Sequence, residues 1–112
     1  MSSLSPEDNK LVVLARATRA RTGAVEGAAL RDLDGRTYAG ATVDLPSLQV
    51  SAIGVVIAMA VSSGAQGAEA AVVLTEGEPS LSDLDALRDF AGPGVPVLRC
   101  SPAGSVEDTR NT

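Results

Sequence analysis

The chain has 112 residues, 45% of them hydrophobic, with a formal net charge of −5, no histidine and one cysteine. That length and apolar content fit one folded domain with a real core. The acidic balance excludes sequence-independent binding to DNA or RNA and an anionic membrane surface as main partner, since both rest on Lys and Arg.

In chain order, Ser5-Pro6-Glu7-Asp8 opens a first helix: a capping serine, proline at the first helical position, then acids in the first turn. Leu11, Leu14, Ala15 and Thr18 continue at helical spacing to about Thr22, and Gly23 stops it. Arg16, Arg19 and Arg21 crowd its last turns, where positive charge complements the helix C-terminus on a solvated face. Residues 27–33 and 36–43 read as a β-hairpin around the Asp34-Gly35 turn.

The stretch from Pro46 to Ser63 reads as the second helix, starting near the proline and ending at Gly64. Its strictly apolar core, Ile53 to Val61, is nine residues long. A bilayer span needs about 20, so the helix is expected to be buried in protein. Residues 69–76 form a continuous apolar run suited to a central strand covered on both faces. Residues 79–92 give a third helix, capped by Ser80 or Ser82, with Leu81, Leu84, Leu87 and Phe90 on its apolar face. Residues 95–100 are a short strand. Residues 101–112 are polar without periodicity and are expected to be a disordered tail, leaving 1–100 as the domain.

The resulting order is helix, strand, strand, helix, strand, helix, strand. Strand–helix–strand units favour parallel crossovers with helices on both sheet faces. The expected fold is therefore an α/β protein, a three-layer α/β/α sandwich around a mixed sheet of about four strands.

With this order in place, the chain resembles the zinc-dependent cytidine deaminase family. The residues that carry the resemblance are Glu26 to Gly40 (EGAALRDLDGRTYAG), Ala60 to Gly64 (AVSSG), and Pro79 followed by a helix and then VPVL. The resemblance implies the same fold, assembly as a homo-oligomer, and a site in which three His or Cys ligands hold zinc. Such a metal makes hydroxide from bound water near neutral pH, and a glutamate beside the first ligand moves protons.

Carried over position by position from AVSSG, the first ligand falls on Ser51 and the glutamate on Ile53. Counting from the hairpin instead places them on Ile53 and Val55. In the third helix, Pro79 takes the proline position, and Ser80 and Asp83 take those of the second and third ligands. The ribose-binding pair falls on Thr42 and Asp44, and the aromatic that lines the nucleoside pocket falls on Ala24. Without histidine, and with Cys100, at the end of the last strand, as the single cysteine, three N/S ligands cannot be assembled within one chain; serine hydroxyls are poor zinc ligands. No cofactor is expected.

Other candidates read more simply. Asp83 and Asp85 belong to a first helical turn, where acids are favoured; the Gly-rich segments lack the lysine of a phosphate loop; Cys100 has no activating base in view. The expected protein is thus a catalytically degenerate relative of cytidine deaminase, a non-enzymatic scaffold or binding module. A second helix apolar on nearly every face points to self-association as a dimer or tetramer. The alternatives are a residual binder of a nucleoside-like small molecule, using Thr42, Asp44, Ser51 and Ser80, and an active deaminase-type hydrolase. A single thiol and no secretion signal in the opening residues point to the cytoplasm.

Overall fold

The computed structural model describes residues 4–112. Helix α1 spans Pro6–Thr22, with the Ser5 Oγ accepting from the Asp8 amide and Gly23 closing the helix at φ 66°. Leu11, Val12, Ala15 and Thr18 face inward, and the buried Thr18 hydroxyl is satisfied by donating to the Leu14 carbonyl at 2.9 Å. Strands β1 (Gly27–Asp32) and β2 (Thr37–Ala41) form the expected hairpin, with Gly35 at φ 84° in its turn.

A second, smaller hairpin follows, β3 (Val43–Leu45) with β4 (Leu48–Val50). Pro46 and Ser47 form its turn, so the expectation that the second helix starts at Pro46 is corrected: α2 spans Ala52–Ser62. The fixed φ of proline suits a turn as well as a helix start, and the two-residue loop lets Val43 pair with Val50. The remaining elements are β5 (Ala68–Leu74), α3 (Leu81–Ala91), β6 (Pro96–Cys100) and β7 (Val106–Asn111).

The main sheet has five strands in the order β2-β1-β5-β6-β7. Only β5 and β6 run parallel, joined across α3; the other pairs are antiparallel. The expected disordered tail is corrected here, because residues 106–111 form the fifth strand. The strand is polar because it lies at a sheet edge with exposed and half-buried positions alternating. Backbone pairing with β6 and the Arg99–Asp108 ion pair at 2.9 Å hold it, rather than an apolar face.

Side chains alternate across the sheet with a period of two. On one face Ala28, Leu30, Ala71, Val73 and Val97 meet α2 and α3; on the other Ala29, Val72, Leu74, Leu98 and Cys100 meet α1. The three-layer α/β/α arrangement with a mixed sheet is therefore as expected. No helix among the described residues is long and apolar enough to cross a membrane.

Candidate functional site

Helices α2 and α3 start at the same place, and the sequence at each start is built alike. Ser51 caps α2 and accepts from the Gly54 amide at 3.0 Å. Ser80 caps α3 and accepts from the Asp83 amide at 3.0 Å. Each serine thus satisfies one amide that the first helical turn leaves unpaired. Gly54 has a further reason to be glycine: a Cβ there would lie 3.1 Å from the Ser51 Oγ and 3.0 Å from Val50 Cγ1.

The two caps are joined. Ser51 Oγ donates to Asp83 Oδ1 at 2.6 Å, and both groups are half-buried. A carboxylate beside two helix N-termini is favoured by their partial positive charge. The Ser80 hydroxyl lies 3.1 Å from that of Ser82 at the exposed rim. Ser51, Ser80 and Asp83 are therefore brought together. Ile53 is not among them: it is 1% exposed and packs in the core with Val56 and Ala60. Val55, the position given by the alternative count, packs against β2 at Gly40.

Beside Ser51 an open cleft of about 510 Å³ runs along the small hairpin, lined by Glu26, Thr42, Val43, Asp44 and residues 49–51. Thr42 and Asp44 both line it, as does Ser51; Ser80 and Asp83 do not. Glu26, Gln49 and Val50 were not among the expected residues. Glu26 was legible in principle, because the β1–β2 register that pairs Gly27 with Ala41 puts Glu26 opposite Thr42. Their backbones do meet, the Thr42 amide donating to the Glu26 carbonyl at 3.1 Å. Gln49 and Val50 were hidden by the helix expected from Pro46.

The donors present do not fit the metal that the resemblance implies. Among the described residues, no three His, Cys, Asp or Glu side chains converge. The carboxylate of Asp83 stands at the joined caps, and one of its oxygens is taken by Ser51. Cys100 is fully buried in the cluster on the α1 side of the sheet, the face opposite α2 and α3. Burial, and then the negative charge of Glu107, push its thiol up to about 11, so it is a poor source of thiolate.

A family model described as cytidine deaminase-like matches residues 4–104 of the chain. The chain belongs to the cytidine deaminase-like family. Cytidine deaminase from Mycobacterium leprae shares 20% identity over 96% of this chain and 94% of that chain, with a TM-score of 0.74. The cytidine deaminase from Burkholderia pseudomallei shares 22%, covering 97% and 92%, with a TM-score of 0.78. That from Bacillus anthracis shares 17%, covering 96% and 84%, with a TM-score of 0.70. At such identities the likeness is one of fold, and cytidine deaminase-like topology is what these chains have in common. No curated protein matches the sequence significantly.

Proposed function

We propose that this chain is a catalytically degenerate cytidine deaminase-like protein that serves as a non-enzymatic, self-associating scaffold or binding module in the cytoplasm. The observation that carries the reading is the 2.6 Å bond from Ser51 to Asp83. It occupies the junction of the α2 and α3 N-termini, where the family resemblance implies a metal and its ligands. A hydroxyl and a carboxylate satisfy each other there; the hydroxyl also caps α2, and the amide of Asp83 is itself capped by Ser80. Ile53, at the position carried over from the proton-moving glutamate, is a core hydrophobe. A buried isoleucine cannot move a proton, and one oxygen of Asp83 is already held by Ser51.

Self-association is supported by apolar side chains that the single chain leaves in solvent. Met59 and Val61 on α2 are 38% and 54% exposed, and Leu45 and Leu48 flank the turn of the small hairpin at 56% and 53%. A second copy would cover such surface. Light scattering at micromolar concentration is expected to give a dimer or tetramer; a strict monomer would remove this part of the reading. A cytidine-to-uridine assay is expected to show no turnover above background, and robust turnover would restore the deaminase alternative.

A second reading, residual binding of a nucleoside-like small molecule, is favoured by the cleft. Thr42, Asp44 and Ser51 line one space of the size small ligands occupy. Melting in the presence of a nucleoside panel tests it, since a ligand that binds only the folded chain raises the melting temperature. Flat melting temperatures at millimolar ligand would count against it.

A further inference from the structure

The cleft beside Ser51 has a feature that neither reading uses, which is the sign of its charge. Two of its lining residues, Glu26 and Asp44, are acidic, and none is Lys or Arg. Neither carboxylate is engaged in an ion pair or a side-chain hydrogen bond among the described residues. Asp8, Glu69, Glu78 and Asp108 each meet an arginine; Glu26 and Asp44, like several other acids of the chain, do not, and what sets these two apart is that they line one cleft. The nearby Arg19 guanidinium donates to the Val25 carbonyl and is not part of the cleft lining.

The hydroxyls of the cleft are already committed within the chain. Ser51 donates its proton to Asp83 and accepts from the Gly54 amide. Thr42 Oγ1 accepts from the Glu26 amide at 3.2 Å and points its proton to the Glu26 carbonyl at 3.5 Å. What is left facing a ligand is rich in acceptors: two carboxylates and the Gln49 amide, whose NH2 is the single obvious side-chain donor. A ligand entering here meets an excess of acceptors over donors and negative charge without positive.

We infer that the cleft selects cations, its preferred occupant being a small organic molecule with a protonated amine held between Glu26 and Asp44, rather than a neutral or phosphorylated one. The inference rests on the small-ligand reading and specifies its ligand class. An ammonium group supplies three donors and a full positive charge, matching both deficits of the cleft. A phosphate would instead be repelled by the two acids and by the net charge of −5 on the chain. Glu26 is central because it is half-buried beside the β1–β2 pairing, where water screens its charge less than that of the exposed Asp44.

The test is titration calorimetry with three compounds of one shape: cytidine, 5′-amino-5′-deoxycytidine and cytidine 5′-monophosphate. At low ionic strength the amino compound is expected to bind about tenfold more tightly than cytidine, and the monophosphate more weakly than either. Raising salt to about 0.5 M should shrink the difference, since the cleft is open to solvent. The double variant Glu26→Gln, Asp44→Asn should bind cytidine and the amino compound alike, with its fold checked by circular dichroism. The wild-type salt titration decides the matter if that variant does not fold. Equal binding of cytidine and the amino compound, or tightest binding of the monophosphate, would overturn the cation preference while leaving the binder reading intact. No heat and no melting shift with any of the three at millimolar concentration would overturn both.

Discussion

The Ser51 hydroxyl works in two directions: its oxygen caps α2 and its proton goes to Asp83 on α3. Removing it leaves an uncapped helix and a half-buried carboxylate without a partner. Ser51→Ala is therefore expected to cost about 1–2 kcal/mol in urea unfolding. A cycle with Asp83→Ala should show coupling of at least about 0.5 kcal/mol, whereas strict additivity would mean the pair is not joined. Asp32 is a second residue whose role is architectural. It is 1% exposed, and its carboxylate accepts from the Tyr38 hydroxyl at 2.8 Å and from the Asp34 and Arg36 amides at 2.9 Å each. Burial alone would raise its pKa, but those three donors outweigh it and hold the carboxyl below the usual value. A group depressed in the folded state adds stability above its unfolded pKa, about 3.9, and that stability is lost as pH falls toward the folded value. The urea midpoint of Asp32→Asn should then fall less steeply than wild type from about pH 5 to pH 3. It should not become flat, because Asp108 is also held down, chiefly by Arg99. Parallel curves would exclude Asp32 as the sensitive group. Of these residues, Ser51, Ser80 and Asp83 were legible only through the family resemblance, since nothing in a serine or an aspartate at a helix start marks more than a cap.

At the scale of elements, the helices and sheet approach closely because the contact residues are small. A Cβ on Gly27 would collide with the Ala15 carbonyl of α1 and lie 2.8 Å from Arg19 Cβ. A Cβ on Gly40 would lie 2.6 Å from Val55 Cγ1 of α2, a side-chain methyl with some room to turn. Gly27→Ala is expected to destabilise by about 2–3 kcal/mol and Gly40→Ala by about 1 kcal/mol, because a backbone carbonyl yields less than a methyl. Equal costs in denaturant titrations would contradict this account of the packing. The elements read most securely from sequence were those that carry their own stop and start chemistry: α1 with Ser5, Pro6 and Gly23, the hairpin with Asp34-Gly35, and β5 with its unbroken apolar run. The two that were not legible lack such local signals. The β3–β4 hairpin shares its proline with a plausible helix start, and β7 is fixed by long-range pairing to β6 and by Arg99 and Arg110, which meet Asp108 and Glu78. Periodicity reports burial, and an edge strand with one paired side buries too little to show it.

For the whole molecule, the layer order and the family fold survive while the donor set at the helix junction differs from what zinc chemistry requires. The sheet positions α2 and α3 so that their N-termini converge, and small core residues let the helices approach it closely. The caps then complete the junction with groups the chain already has, Ser51, Ser80 and Asp83. Elemental analysis of purified protein for zinc tests this most directly. The account predicts zinc far below one equivalent per chain, even when the protein is produced in zinc-supplemented medium. One tightly held zinc per chain, persisting through gel filtration, would contradict it.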